Sequence, residues 1–351
     1  MKSSFRAFNE AALKPLKIAF FGSDRFSVIA LDRLTKYSKT NPRKISSVDV
    51  ITRKSKRTGR GLKKYNDLPI ESYCEQNSIN LARADSGDDI VSLLSGNQFD
   101  LSIAVSYGSL IPAKFLQSCN YGGLNLHPSL LPRYSGSSPI QYALMNDDRV
   151  TGVTVQTLHP SKFDAGEIIL QSDEVRIKEE DNYRSLVERL GKLGSDLLVK
   201  VIDGDLFIKH QPIERHHSYS LASKIKSARK IIDWNSTSKQ IKRLNDALGP
   251  LTTYTRVHIR KKKKDIDSLY VTILDDIKIV GGERSWNIKA PGLFELDEMN
   301  NLLVLKTKDG YISAGKLKFQ YCKEEDPKQF LAHLRKRSGS DKQIFESKIK
   351  I

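Results

Sequence analysis

The sequence predicts an α/β protein, with a Rossmann-like domain built on a mainly parallel sheet and a small C-terminal β-barrel of the oligonucleotide-binding kind. Short apolar runs alternate with helix-like segments through about the first two hundred residues, which indicates strands joined by helices. After Ile231 the pattern changes to short strands bounded by Gly and Asp turns, which is typical of a small barrel. The 351 residues exceed one average domain, so two cores are expected.

The first half of the chain reads as alternating strands and helices. The apolar run Lys17 to Gly22 ends in glycine and predicts the first strand, and a helix over 26–37 leads to the β-branched strand Ile45 to Thr52. The same alternation predicts helices over 68–76, 88–95, 139–146 and 183–202, and strands over 79–82, 99–106, 123–127, 152–158 and 167–177. Residues 17–203 therefore form the first predicted domain.

The second half reads as a smaller domain. A polar stretch predicts a linker over 204–225, and residues 226–340 form the predicted barrel domain. Within that domain the pattern predicts helices over 237–248 and 327–336, and strands over 254–259, 269–280, 293–296, 302–306 and 315–319. Residues 341–351 are expected to be a charged tail, and residues 1–16 a basic extension that is either disordered or an organellar targeting segment.

Charge indicates a polyanionic partner. Lys and Arg number 58 against 41 Asp and Glu, a net charge of +17. A uniformly lysine-rich soluble surface would give the same sum, but the charge is clustered, with seven basic and no acidic residues from Arg53 to Lys64. From Leu221 to Lys264 there are thirteen basic and two acidic residues. Such clusters favour nucleic acid or an acidic membrane surface as the partner.

Two classes of protein are excluded by the sequence. No apolar run approaches the length of a bilayer span, so a membrane protein is not expected. Cys74, Cys119 and Cys322 are far apart and odd in number, which supports neither a disulfide framework nor a thiolate metal site. We interpret all three as buried reduced thiols.

The strongest candidate site lies around GGLNLHPSLLPRYSGSSPI, which begins at Gly122. Asn125 and His127 fall where a predicted strand meets a loop, and Asp164 follows in FDAGEII. Polar groups at strand ends are where α/β sheets present their chemistry. A lone histidine usually satisfies a local hydrogen bond, and a lone aspartate before glycine is usually a turn residue. Only their combination indicates function.

That combination resembles the folate-dependent formyltransferases, and among them those that act on methionyl-tRNA. The resemblance extends over both domains and rests on KIAFFGSDRFSVIALDRL, RTGRGLKK, SYGSLIP, GGLNLHPSLLPRYSGSSPIQYAL, TGVTVQTL, FDAGEII and KIIDWNSTSKQI. It implies that Asn125, His127 and Asp164 are the catalytic trio. It also implies 10-formyltetrahydrofolate as co-substrate, without a metal, and the folate-binding residues would be Ser129, Leu130, Leu131 and Pro132.

The implied reaction explains these residue types. A formyl group would move directly from a folate nitrogen to an amine through a tetrahedral intermediate, without a Ser or Cys nucleophile. Asn125, and His127 if it carries an N–H there, would donate to the developing oxyanion. His127 would also move the proton. Asp164 would orient the imidazole, stabilise its charged form or hold a relaying water, and the sequence leaves these three roles open.

The resemblance assigns the basic segment to tRNA. Arg60 would be the leading contact with initiator methionyl-tRNA, Arg57, Lys63 and Lys64 would bind phosphates, and a second patch over 256–264 would extend the track. A solvated flexible loop is the alternative for such a basic run. We expect a monomer without a membrane partner, placed in the mitochondrial matrix, or in the cytoplasm if the source is bacterial.

The chain departs from the family pattern at two places. Ser23 and Asp24 stand where Thr-Pro is usual, and Leu248-Gly249-Pro250-Leu251 replaces a Pro-Trp-Pro segment. The single glycine of the first turn does not make a dinucleotide fingerprint, which needs three. The alternatives to a tRNA formyltransferase are a sugar-nucleotide formyltransferase, a formylfolate hydrolase or a catalytically silent RNA-binding protein.

Overall fold

The computed structural model describes residues 14–55, 57–58, 64–65, 67–211, 213–214, 216–261, 264–281, 286–340 and 342–347. These residues form two compact units. The first consists of the chain up to Pro139, Val150–Arg176 and Ser185–Ser223, and the second consists of Ile140–Arg149, Ile177–Arg184 and the chain from Lys224. Most of the predicted N-terminal extension, residues 1–13, lies outside the described residues.

The chain up to Asp203 alternates strands with helices. Its elements are, in order, β1 (Leu16–Gly22), α1 (Arg25–Thr40), β2 (Ile45–Thr52), β3 (Arg57–Thr58), β4 (Lys64–Tyr65), α2 (Pro69–Gln76), β5 (Leu81–Arg83), α3 (Gly87–Ser92), β6 (Leu101–Val105), α4 (Ala113–Ser118), β7 (Gly123–His127), α5 (Pro139–Met145), β8 (Val150–Thr151), β9 (Thr154–Thr157), β10 (Ile168–Gln171), β11 (Val175–Arg176) and α6 (Tyr183–Asp203).

A seven-stranded sheet organises the first unit. Its strand order is β10-β9-β7-β6-β1-β2-β5. The five strands from β5 to β7 are parallel, and β9 and β10 add antiparallel pairs at one edge. The predicted Rossmann-like, mainly parallel sheet is confirmed. Because parallel strands end at the same edge, the carboxyl ends of β1, β6 and β7 lie side by side, where open α/β sheets bind their ligands.

Burial on both faces accounts for the apolar strands of this sheet. Ile18, Ala19, Phe20 and Phe21 of β1 have no exposed surface, which is the pattern of a central parallel strand. Phe21 meets the ring of Tyr107 edge to face, with the ring centroids 5.1 Å apart. The β1 end is therefore a rigid base for the loops above it.

The turn after β1 is built for packing. A Cβ on Gly22 would lie 2.8 Å from both Ile70 Cδ1 and Ser27 Cβ, so only glycine fits. The Asp24 carboxylate caps α1 by accepting from the Ser27 N–H. Burial raises the pKa of Asp24, and its hydrogen bonds oppose that rise. An acid thus occupies the helix N-terminus to which a dinucleotide phosphate would bind.

Several predicted elements differ from the structure. The predicted strand over 167–177 is divided, because β10 belongs to the main sheet whereas β11 pairs with β8 in a separate two-stranded sheet. The polar residues between them interrupt the apolar run. The short helix α4 buries only Phe115 and Leu116, too few residues to show a helical period. Cys74 and Cys119 are buried, and burial raises the pKa of each to about 11. Cys322 is only partly buried, contrary to expectation.

The second unit is mainly antiparallel. Its elements, after a 3-10 turn at Ser227–Lys230, are α7 (Ser238–Leu248), β12 (Leu251–Lys261), β13 (Lys264–Val280), β14 (Phe294–Asp297), β15 (Leu302–Lys306), β16 (Tyr311–Phe319), β17 (Glu324–Glu325) and α8 (Pro327–Ser338). The strand order is β12-β13-β16-β15-β14, with β17 beside β16. The predicted small β domain after the Rossmann-like domain is confirmed.

The last residues join the two ends of this sheet. Residues 341–351 were expected to be a charged tail, but the Phe345 N–H donates to Gly292 O beside β14, and Glu346 exchanges two backbone hydrogen bonds with Tyr254 of β12. Phe345 is 2% exposed and lies 4.4 Å from Phe294, ring centroid to ring centroid. The prediction of a charged tail was wrong for residues 343–346. Charged residues surround Phe345 in the sequence, so the local pattern does not indicate that this side chain belongs to the core.

Residues 140–149 also belong to the second unit, although the predicted boundary placed them in the first domain. Asp147 accepts from Arg243 Nε at 2.9 Å and pairs with Lys239, both on α7. Partial burial acts to raise the pKa of Asp147. The two cations together act more strongly in the opposite direction, so the pKa lies below its ordinary value. This ion pair is long-range in sequence, so the pattern of residues 140–149 does not predict it.

We predict that Phe345→Ala lowers the free energy of unfolding by about 3–5 kcal/mol, because it leaves a cavity among buried aromatic rings. Urea unfolding measures the loss. The control is Met299→Ala, because Met299 is 89% exposed and its truncation should change stability by less than about 0.5 kcal/mol. Equal stabilities of the two variants would show that the closing segment adds nothing to the core.

Candidate active site

The structure brings the three predicted catalytic side chains together. Asn125 and His127 lie two residues apart on β7, so they project from the same face of the sheet. Asp164 lies in the loop between β9 and β10. Asn125 Nδ2 donates to Asp164 Oδ1 at 3.2 Å, and His127 Nε2 lies 3.5 Å from Asp164 Oδ2. The amide, the imidazole and the carboxylate therefore form one contiguous cluster.

His127 is held at both ring nitrogens. Its side chain is 7% exposed. Nδ1 lies 2.9 Å from Ser129 Oγ, and that hydroxyl donates its only hydrogen to Arg133 O at 2.7 Å. Nδ1 must therefore be the donor to Ser129. Nε2 lies 3.1 Å from Gly136 O and faces the Asp164 carboxylate, so its proton, when present, is surrounded by acceptors.

Asp164 is the most heavily coordinated group of the cluster. Oδ1 accepts from Asn125 and also from Gln156 Nε2 at 3.3 Å, and Oδ2 accepts from the Gly136 N–H at 2.7 Å. The backbone of Asp164 has φ of +50°, a left-handed conformation that aspartate tolerates better than most residues. A Cβ on Gly166 would lie 1.7 Å from Thr157 O, so the loop needs glycine there. The carboxylate is thus fixed before any substrate binds.

Gly136 connects the histidine to the aspartate. Its carbonyl faces His127 Nε2, and its N–H donates to Asp164. Its φ is +122°, and a Cβ would lie 2.6 Å from Ala222 O. Ala222 is fully buried and pairs with Ser135 through its backbone N–H. Residues 220–222 were predicted to be linker, but in the structure they clamp the active-site loop.

The loop with the predicted folate residues is fixed by hydrogen bonds from Thr154 of β9 and Gln171 of β10. Ser129, Leu130, Leu131 and Pro132 are all buried. Thr154 Oγ1 donates to Ser129 O at 2.6 Å and accepts from the Leu131 N–H at 3.2 Å. Gln171 Nε2 donates to the same hydroxyl at 2.8 Å and to Leu131 O at 3.1 Å. The loop therefore has one defined conformation beside His127.

Sequence reasoning singled out Gly136 as permitting a tight loop, but it missed the other residues that hold this arrangement, namely Thr154, Gln156, Gln171 and Ala222. Thr154 and Gln156 face His127 and Asn125 directly across the β7–β9 pairing. They alternate along TGVTVQTL with period two, a signal that was present in the sequence. Gln171 and Ala222 give no comparable signal, because their partners are distant in sequence.

The predicted tRNA residues are only partly placed. Arg57 and Lys64 lie on the β3–β4 pair, while Arg60 and Lys63 lie outside the described residues. Arg260 and Lys264, both of the second patch, extend the β12–β13 hairpin. Arg256 of the second patch forms two hydrogen bonds of 2.7 Å with the Glu346 carboxylate. These bonds raise the pKa of Arg256, and the Glu346 carboxylate compensates its positive charge, so Arg256 is a poor phosphate contact.

The described part of the chain offers neither a metal site nor a membrane span. Among the residues that the structure describes, no group of three or more His, Cys, Asp or Glu side chains is arranged to hold a metal ion. In the same part of the chain, every helix is too short or too polar to cross a bilayer.

Comparison with known proteins identifies the family. The family described as formyl transferase matches residues 16–202, and the formyl transferase C-terminal domain matches residues 224–335. The mitochondrial methionyl-tRNA formyltransferase of Saccharomyces cerevisiae is 30% identical over 95% of this chain and 93% of its own length. This chain belongs to the methionyl-tRNA formyltransferase family.

Other relatives of this formyltransferase agree. The methionyl-tRNA formyltransferase of Fusobacterium nucleatum is 32% identical over 68% of this chain and 74% of its own. HypX of Aquifex aeolicus, solved with tetrahydrofolic acid, superposes with a TM-score of 0.59 at 15% identity, over 92% of this chain and 48% of HypX. An N-formyltransferase from Helicobacter canadensis gives a TM-score of 0.55 at 18% identity, over 85% of this chain and 98% of its own. At such identities these structures show the shared fold.

We predict that Gly136→Ala lowers the free energy of unfolding by about 2–3 kcal/mol, because a side chain would be strained and would collide with Ala222 O. The control is Gly122→Ala. Gly122 also has positive φ, but nothing lies within 4 Å of its added Cβ, so only the backbone strain of about 1 kcal/mol applies. Urea unfolding compares the two. Equal losses would show that Ala222 does not restrict this position.

Proposed function

We propose that this formyltransferase moves the formyl group of 10-formyltetrahydrofolate to the α-amino group of methionyl-tRNA. The observation that carries the proposal is the cluster of Asn125, His127 and Asp164, held together by Gly136 at the carboxyl end of β7. The relatives from bacteria and mitochondria that are named methionyl-tRNA formyltransferase support methionyl-tRNA as the acceptor of the formyl group. HypX, solved with tetrahydrofolic acid, supports a folate as its donor. Nothing in the comparisons favours a hydrolase or a silent RNA-binding protein over this activity.

The transfer proceeds in two steps at the formyl carbon. The α-amine attacks that carbon, the new C–N bond forms, and the carbonyl electrons move to its oxygen. When the intermediate collapses, the bond to the folate nitrogen breaks, and that nitrogen takes up a proton while the amine has lost one. The net reaction moves one formyl group and needs no redox partner.

Asn125 and His127 divide the work in this proposal. One N–H of the Asn125 amide is bound by Asp164, and the second is available to the developing oxyanion. Preorganised donors of this type typically contribute a few kcal/mol to the transition state. His127 Nε2 is the nitrogen that accepts the amine proton, because Nδ1 is already engaged as a donor to Ser129.

The position of Asp164 favours an electrostatic role. Its Oδ2 is 3.5 Å from His127 Nε2, longer than a direct hydrogen bond, and it receives a shorter bond of 2.7 Å from the Gly136 N–H. A carboxylate at this distance stabilises the imidazolium that forms during proton transfer. Of the roles left open by the sequence, we therefore favour stabilising the charged ring over binding it directly.

The folate and tRNA sites complete the proposal. The rigid 129–132 loop beside His127 forms the wall for the folate, and Arg57, Arg60, Lys63 and Lys64 bind the tRNA. The yeast and rat relatives are mitochondrial, and this supports a matrix location for this enzyme. We propose that the enzyme acts as a monomer.

We predict that His127→Ala lowers kcat for formyl transfer by about 10²–10⁴, because proton transfer loses its base. Asp164→Asn should lower kcat at least tenfold, because the imidazolium loses its counter-charge. Labelled formyl transfer to charged initiator tRNA measures both, and circular dichroism checks the fold. The control is His216→Ala, which removes an exposed histidine. Wild-type rates in the His127 variant would reject the mechanism, and transfer only to small amines would reject the tRNA substrate.

We predict that Arg60→Ala raises KM for tRNA, leaves KM for the folate unchanged and reduces the salt dependence of tRNA binding by about one charge. The control is Lys36→Ala, which removes an exposed cation that pairs with Asp32 on α1. Steady-state kinetics at several salt concentrations measure the difference. A parallel rise in both KM values would indicate a folding defect and contradict a role in tRNA binding.

A further inference from the structure

Gln156 is a buried polar residue that none of the motif assignments uses. It lies on β9, directly opposite Asn125 in the β7–β9 pairing, and is 1% exposed. Its Nε2 donates to Asp164 Oδ1 at 3.3 Å, the oxygen to which Asn125 also donates. Two side-chain amides from neighbouring strands therefore hold one carboxylate oxygen between them.

The second polar atom of the Gln156 amide, the oxygen Oε1, lacks a hydrogen-bond partner among the described residues. This oxygen is buried. The amide orientation is nevertheless fixed, because the reverse orientation would place Oε1 against the Asp164 carboxylate. A buried acceptor without a donor destabilises a fold, and an apolar side chain of the same volume would avoid this cost.

Gln156 thus keeps one unpaired buried acceptor in the fold while its N–H serves the site. Residues that break a local packing rule without structural gain are typical of functional sites. The gain is visible only at Asp164, where the Gln156 N–H completes the set of donors to a carboxylate that faces His127. Oε1 is enclosed by protein, so a direct contact between Gln156 and substrate does not explain it.

We propose that Gln156 is a positioning residue for formyl transfer, which holds Asp164 in place at the cost of one buried acceptor without a partner. This inference rests on the proposed function, because it assumes that Asp164 acts on His127 during catalysis. Among the described residues in contact with the Asp164 carboxylate, His127 is the titratable group. The donors to its oxygens, Asn125, Gln156 and the Gly136 N–H, are neutral.

The test is Gln156→Met, which keeps the volume and removes both polar atoms. We expect kcat to fall by roughly ten- to a hundredfold while both KM values stay within a factor of about two, because misplaced catalytic groups cost that much. We also expect the thermal midpoint to change by no more than about 2 °C, since methionine removes an unpaired buried acceptor and one hydrogen bond to Asp164 together. The matched control, Gln117→Met, changes an exposed glutamine of α4 and should alter neither quantity.

Gln156→Glu gives a second, pH-dependent readout. The introduced carboxyl group can still donate to Asp164 while it is protonated, whereas its ionised form repels Asp164, so variant activity relative to wild type should decline as pH rises. Gln156→Met should instead be impaired at every pH. A Gln156→Met variant with wild-type kcat, or one that loses stability and kcat together, would overturn the inference. Wild-type transfer to tRNA in the same assay tests the proposed function separately.

Discussion

The Asp164 carboxylate is the group on which the geometry of the site depends. It accepts hydrogen bonds from three separate segments: from Asn125 on β7, from Gln156 on β9 and from the Gly136 N–H in the loop that follows β7. Each of these bonds is to a charged acceptor, and such bonds are stronger than those between neutral groups. Since Gly136 also faces His127, the carboxylate fixes the loop and the imidazole together. An aspartate in a left-handed turn, which looks like a simple turn residue, thereby sets the relative positions of the proposed catalytic groups.

The antiparallel pairing of β9 with β7 makes this possible. The antiparallel register sets Thr154 opposite His127 and Gln156 opposite Asn125. One residue of this row orders the 129–132 loop and the next holds Asp164. The motif TGVTVQTL therefore acts as a supporting layer, and its period-two alternation is what lets a single strand serve both purposes.

The second unit depends on a comparable long-range closure. Its antiparallel strands leave β12 and β14 at the two ends of the hydrogen-bonded path, and residues 343–346 pair with both sides. An uncovered strand edge is prone to associate with other chains, so this closure removes a liability as well as burying Phe345. Glu346, in the same segment, forms an ion pair with Arg256 and compensates its charge. The basic character of this unit therefore differs from the simple sum of its lysines and arginines.

The sequence by itself determined the fold class and the order of most strands and helices, because period and turn residues are local properties. The resemblance of its motifs to a family led to the prediction of Asn125, His127 and Asp164, which the structure brings together. The sequence did not determine that residues 140–149 belong to the second unit or that the predicted strand over 167–177 is divided between two sheets. It also did not determine that residues 343–346 pair with the second sheet or that Ala222 holds the loop around Gly136. Nor did it assign Gln156 and Gln171, whose hydrogen bonds reach the catalytic loops. Only the tertiary structure decided these, because each depends on a partner distant in sequence, and local patterns carry no information about which distant groups meet.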